Sequence, residues 1–559
     1  MATPTTSVRH KRRHRTKATV LATLTACLIA ACGSGNGGDS PAATGDPVDG
    51  GTLRFASASG PGDCLDPHQS PADVAGFYAR PILDSLVALN KDGTLAPWLA
   101  TEWSVSPDQR TCSFTLRDDV TFSNGEKFDG NAVKANFDHI VDPATKSQLA
   151  ANTIATYTGT KVIDPTHVEV TFSEPNSAFL PSAATAYLGI EAPSTLTKGP
   201  DALCSKIVGT GPFVSPDGYQ PNKGIDYVRN DAYNWGPGNA GHTGKAYLQG
   251  ISIKEISEDS SRYGALTSNQ VDAIASVPPV NVSQLKETPG FTVDTEQAPG
   301  GNYNYYPNTA RGAFADLKVR EAFRAGINWD AIVDKLYFGV FQPAKNTLSP
   351  ATVGYNKESE SAYAFDEDKA NTLLDEAGWI AKDGEGYRTK NGQRLTVVHP
   401  FLADIAREQR DTLLEQVQSS AKKLGIDYQI KNVTVDEYLS RLYRGDYDVA
   451  DISWQRASPD ALRTLSHSSN IPALPDTFGT NFARYSNPAV DADLVAALGE
   501  TDLTKQSEIY GRAQQQIADD AAVFPVFVFN YALGRRDKVQ GVEFEPQAFP
   551  TFYDAWLAP

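Results

Sequence analysis

Runs in which every second side chain is apolar alternate along this chain with runs whose apolar positions recur at helical spacing. Residues 51–56, 113–117 and 167–172 read as half-buried strands. Residues 319–338 and 407–424 read as helices. In the second of these, Leu413, Leu414, Val417, Ala421 and Leu424 fall on one face, and Gly425 follows as a C-cap. The clearest unit lies at 426–454. A strand at 426–433 is followed by Thr434 and Glu437 in a capping box, a short helix to Arg444, a terminating Gly445 and a second strand at 447–454. Two strands joined in this way are expected to run parallel with a right-handed crossover. Open parallel sheets take ligands beyond the carboxyl ends of their strands, which points to 455–460 as pocket lining. The alternation of both periods predicts an α/β fold, and no repeat is visible at periods of 20–50 residues.

The first forty residues follow a different logic. Arg9, Lys11, Arg12, Arg13, Arg15 and Lys17 form a basic head, and residues 18–31 are small and apolar but too short for a span of about 20 residues. The run closes on Ile29, Ala30, Ala31 and Cys32, the pattern of a lipoprotein signal, so 1–31 is expected to be removed and Cys32 to carry lipid. A second match ending at Cys27 would leave an apolar stretch after the cysteine, and an ordinary secretory signal is the further alternative. Residues 32–49 are rich in Gly, Ser and Asp and read as a flexible tether.

Of 50 basic side chains six lie in the signal, which leaves 44 against 67 acidic ones and a formal charge near −23. Such a surface repels nucleic acid, so no nucleic-acid partner is expected, and the membrane is met through the lipid anchor alone. The mature length exceeds what one core supports, so at least two lobes are expected. Three cysteines remain besides Cys32. Cys64 and Cys204 sit in loop-like sequence and Cys112 in a strand, so Cys64 and Cys204 are paired here as a disulfide; three free thiols are the alternative.

Motifs for catalysis or cofactors fail on context. Gly33, Gly35 and Gly38 have dinucleotide-loop spacing but belong to the tether, and Gly236 to Gly241 is followed by His242 where a phosphate-binding lysine is required. No spaced His or Cys pair suggests a metal set, and no nucleophile elbow is present. No enzyme activity, metal or cofactor is expected.

Several short motifs carry a resemblance. Leu65-Asp66-Pro67-His68, Phe114 to Arg117 with Phe122 to Gly125 and Phe128, Gly209 to Phe213, Asn308-Thr309 with Phe314 to Asp316 and Val319 to Phe323, and Tyr485 to Asn487 with Asp491 occur in this order. Together they resemble the extracellular solute-binding proteins of family 5, the oligopeptide-, dipeptide- and nickel-binding type, which serve bacterial ABC importers. The resemblance implies a two-lobed periplasmic-binding-protein fold (type II, cluster C) with two hinge crossings, near 302–308 and near Asn530. Lobe I then covers 50–301 plus 531–559, and lobe II 302–530. It implies a monomer that delivers a small solute to a permease and its ATPase subunits, from the outer face of the cytoplasmic membrane. The turn glycines Gly209 and Gly211 are expected to supply backbone conformations closed to other residues.

In peptide-binding members an extended ligand pairs with one short segment per lobe. Those segments correspond to Ser70 and Asp73 in lobe I and to Trp454, Gln455, Arg456 and Ala457 in lobe II. The aspartate that meets a peptide's α-ammonium is Ala457 here, and an arginine three residues before the tryptophan is Asp451. The charge pattern is therefore rearranged, with Asp451 or Asp73 as amine partners and Arg456 as a carboxylate or phosphate partner. Tyr305, with Tyr303 and Tyr306, is expected to add aromatic surface at the hinge. A peptide or peptide-like solute is the expected ligand; an oligosaccharide, an anionic metabolite or a metal complex is the alternative, and an exported hydrolase or surface chaperone the rival of another class.

Overall fold

The alternating run near residue 51 becomes β1 (Thr52–Ser57), a central strand in which Leu53 and Phe55 are fully buried. It belongs to a computed structural model that describes residues 45–559 except 71, 148, 404–405 and 474–478. The signal segment, Cys32 and most of the tether lie outside the described residues. The tether's last residue, Asp49, is pinned by Arg229 and Lys245.

Following β1 comes helix α1 (Asp73–Ala79). Strands β2 (Gly250–Glu255) and β3 (Ala273–Ile274) flank β1 in parallel, and β4 (Phe291–Gln297) completes this part of the chain. The chain then passes Ala298 and Pro299 into a second sheet through β5 (Gly300–Pro307), whose eight residues are all buried. The predicted helix at 319–338 is two helices, α2 (Leu317–Gly326) and α3 (Trp329–Tyr337), because Asn328 caps a new N-terminus by accepting from Ala331 N–H. Next come β6 (Thr396–Phe401), α4 (Arg410–Lys423), β7 (Asp427–Asn432), α5 (Val435–Arg444) and β8 (Val449–Gln455). The chain ends its second sheet with β9 (Phe524–Val528), crosses at Phe529, and returns to the first as β10 (Asn530–Arg536), which pairs with β3 and β4.

The first sheet thus runs β4, β10, β3, β1, β2, Gly224–Arg229, Phe213–Val214, and the second runs Gln342–Pro343, β9, β5, β8. The first change of sheet falls at Ala298–Pro299, ahead of the expected 302–308, because β5 is already antiparallel to β8 from Gly300 onward. Gly300 is required there: its φ is +91°, and a Cβ would lie 2.2 Å from Arg456 N.

Local signals at 426–454 match the elements closely. Thr434 Oγ1 accepts from Glu437 N–H, and Gly445 closes α5 with φ +70°. The neighbours differ from expectation. β7 pairs in parallel with β6, not with β8, and β6 meets β8 at its start, where Asp448 N–H donates to Val398 O at 3.0 Å. A strand from earlier in the chain has been inserted between the two.

Cys64 and Cys204 form a disulfide, and Cys112 is a buried free thiol whose pKa burial pushes up to about 12. Gly209 and Gly211 do not have positive φ. Their need for glycine is close approach, since a Cβ would lie 2.2 Å from Ile82 O at Gly209 and 2.5 Å from Ile82 C at Gly211.

Candidate functional site

Where the two sheets meet, the end of β8 faces the start of α1 across a cavity of about 540 Å³. The first half contributes Ala72, Asp73 and Val74, and the second contributes Arg407, Arg410 and the run from Asp451 to Arg456. Two smaller spaces, about 170 and 60 Å³, share Arg456 and Asp73 respectively with it. β8 is an edge strand of its sheet, so its last residues present backbone groups toward this space. A separate cavity of about 600 Å³ lies within the first half. Its arginine, Arg80, is already engaged by Leu83 O, Ser85 Oγ, Ala184 O and Glu545.

Four arginines line the space between the halves, and three have carboxylate partners. Arg407 reaches Asp73 across the cleft at 3.5 Å, Arg410 meets Glu408 at 2.8 Å, and Arg463 donates twice to Asp460 at 2.7 Å. Arg456 has no carboxylate within 4 Å among the described residues. Its guanidinium lies over the Trp454 ring at 4.4 Å and 5.9 Å from the Tyr187 ring centre. Burial works against its charge and lowers its pKa, with Tyr187 and Asp73 opposing.

Asp451 is also committed. Its carboxylate accepts from Tyr303 OH at 2.6 Å and pairs with His399 Nε2 at 3.0 Å. Burial alone would raise its pKa, but these partners and Arg410 outweigh burial and hold it below the usual carboxylate value.

Residues 94–470 match the family described as Bacterial extracellular solute-binding proteins, family 5 Middle. This chain belongs to that family. It is similar to the nickel-binding periplasmic protein of Escherichia coli, at 26% identity over 87% of this chain and 90% of that protein. It is 27% identical to the glutathione-binding protein GsiB of Salmonella paratyphi A, over 88% and 92% of the two chains. Among solved structures it resembles the periplasmic binding protein DppA of Helicobacter pylori, in complex with the peptide STSA. The TM-score is 0.76 at 24% identity, over 92% of this chain and 99% of that one. The fold is therefore the two-lobed one of family 5. Members of this family capture solutes outside the cell for ABC importers, so this chain is a binding protein and not an enzyme. No helix among the described residues is long and apolar enough to cross a membrane.

In this family 5 protein, Asp73, Asp451, Trp454, Gln455 and Arg456 all border the central cavity, and Ala457 borders the 170 Å³ space. Trp454 is half-buried and packs against the cores of both halves. Gln455 is 8% exposed, and its Nε2 has no partner.

Two expected residues are elsewhere. Ser70 is 1% exposed, and its Oγ accepts from Ala72 N–H at 3.3 Å; it shapes the turn into α1 and does not border the cavity. Tyr305 is fully buried and packs edge-on against Trp329 and His399. Tyr303 and Tyr306 are buried too, since both faces of β5 are covered, so none of the three supplies cleft surface. The sequence reading missed Arg407, Arg410, Tyr187 and Tyr438. Tyr187 OH donates to Ala72 O and Asp73 O, fixing the first wall, and Tyr438 OH donates to Asp451 O. One signal was present: Arg407 and Arg410 crowd the N-terminal end of α4, where the helix dipole disfavours cations.

Proposed function

We propose that this chain is the lipid-anchored receptor of an ABC importer for a peptide or peptide-like solute bearing a carboxylate. The observation that carries the reading is the pairing of an edge strand with a cation that lacks a counter-ion: β8 ends in the cavity, and Arg456, whose Nη1 donates to its neighbour's carbonyl, Gln455 O, has no carboxylate within 4 Å among the described residues. An extended ligand adds its backbone to β8, and Arg456 takes its carboxylate in a bidentate pair. Among the described residues Asp73, Asp451, Glu408 and Asp460 all have partners and residue 457 is alanine, which leaves only the exposed Glu174 of the 170 Å³ space for an α-ammonium. An anionic metabolite without a peptide backbone is the second reading, favoured by the same Arg456.

The halves, divided at Ala298–Pro299 and at Phe529, act as lobes that close over the solute. The Asp73–Arg407 pair spans them, and the closed state is the one presented to the permease. Lipid on Cys32 and the tether to residue 49 hold the receptor, as a monomer, at the outer face of the membrane.

The test is a thermal-shift screen of peptides, their C-terminal amides, oligosaccharides, anionic metabolites and metal complexes. Hits are followed by small-angle scattering. Free-carboxylate peptides should raise the melting temperature and reduce the radius of gyration. Stabilisation by uncharged oligosaccharides or metal complexes alone would discard the peptide reading, and no closure with any class would discard the receptor reading.

A further inference from the structure

Beneath the wall that carries Asp73, the Leu65-Asp66-Pro67-His68 turn meets a distant carboxylate. Asp66, His68 and Glu191 are all 0% exposed, and one ligating atom from each lies within 4.8 Å of the others. His68 Nδ1 is 3.9 Å from Glu191 Oε1. Neither Glu191 oxygen has a hydrogen-bond partner, and neither does His68 Nδ1. Among the described residues, no lysine or arginine lies within 4 Å of either carboxylate.

The surrounding groups hold these side chains as ligands are held. His68 Nε2 is 2.9 Å from Gly189 O, and a carbonyl only accepts, so Nε2 carries the hydrogen and Nδ1 offers its lone pair. Asp66 accepts from His68 N–H at 2.7 Å and from Gln69 Nε2 at 2.6 Å, which fixes its carboxylate. Asn136 clamps the backbone of Glu191 from both sides, donating to its carbonyl and accepting from its N–H, each at 2.8 Å.

We propose that Asp66, His68 and Glu191 form a structural site for one divalent transition-metal ion of the zinc class. Two carboxylates supply the charge that a divalent ion neutralises. An imidazole nitrogen in a three-residue set favours zinc over calcium or magnesium, which seek six or more oxygens or retained waters. Zinc holds N and O ligands at about 2.0–2.2 Å, roughly 3.4 Å apart, so the observed separations need inward shifts of about 0.7 Å or less. The fourth position falls to a water, since His139, its ring 5.6 Å from that of His68, is not among the residues whose ligating atoms meet within 4.8 Å. The ion would tie the 66–68 turn to the 189–191 segment, beside the Cys64–Cys204 bridge, and so stiffen the approach to Asp73.

The test uses the untagged full chain, made in zinc-supplemented medium and desalted. Elemental analysis should find about one zinc per chain. Chelation should lower the melting temperature, and zinc at a hundredfold above its dissociation constant should restore roughly 2–3 °C. Glu191→Gln, which preserves shape, should lose at least a hundredfold in zinc affinity. Cobalt(II) loaded into the unaltered chain should show the intense visible bands of a tetrahedral site, a readout that stands even if variants fail to fold. Absence of zinc together with no thermal response to zinc, manganese or nickel would overturn the proposal. So would zinc retained by both Glu191→Gln and His68→Asn, or a metal-free Glu191→Gln more stable than the zinc-loaded parent, which would make Glu191 a proton-sharing carboxyl instead. Solute binding, measured on the same samples, is a separate readout.

Discussion

Arg456→Ala is the substitution that most directly probes the cleft. In the free protein the guanidinium rests on Trp454 at 4.4 Å with Tyr187 beyond it, and no carboxylate neutralises it among the described residues. Its loss should therefore leave the folded protein nearly as stable as before, while a bound carboxylate loses its partner. Hydrogen bonds to charged groups contribute about 1.5–3 kcal/mol, which is roughly a 10- to 150-fold weakening. The middle of that range applies here, because Arg456 is half-buried beside two aromatic rings, which reduces solvent screening only in part. Calorimetric titration with the best peptide of the screen and with its C-terminal amide gives a double-mutant cycle. The amide should bind weakly to the parent protein and be indifferent to Arg456→Ala. Arg456→Lys should fall between the two, since it keeps the charge but loses the fork and the stacking. An equal loss for acid and amide, or no loss for either, would refute the assignment of Arg456 to the ligand's carboxylate.

Opening the Cys64–Cys204 bridge, which closes 140 residues, should destabilise the protein by about 5 kcal/mol in the chain-entropy model, read as a fall of about 5 °C in melting temperature. Cys112, with its thiol pushed up to about 12, should stay unreactive toward thiol reagents at neutral pH until the protein unfolds. Gly300→Ala should cost roughly 2 kcal/mol or more, measured by urea unfolding, since its Cβ would meet backbone atoms of Arg456 and Trp454 at 2.2 and 2.7 Å. Asp451 ionises more readily folded than unfolded, so its contribution is full above the ordinary carboxylate range and is lost as pH falls through its lowered value. Tyr303→Phe removes one of its donors and should move the acid unfolding midpoint to higher pH; an unchanged midpoint would show that His399 and Arg410 suffice.

Local chemistry decided what the sequence could say. A strand's period, the Thr434 cap and the left-handed Gly445 depend on residues a few positions apart, so α4, α5, β1 and β8 were legible before any tertiary contact. The order of short motifs likewise marked the family, and Trp454 and Arg456 followed from it. Partners distant in sequence were not legible. Nothing near Tyr305 says that β5 is covered on both faces, and nothing near β7 says that β6 will separate it from β8. His68 meets the carbonyl of Gly189 across 121 residues, and Arg407 meets Asp73 only because two separate sheets face each other. Helix and strand form from neighbours along the chain, whereas ion pairs, orphaned carboxylates and cavity walls form between surfaces that packing alone brings together.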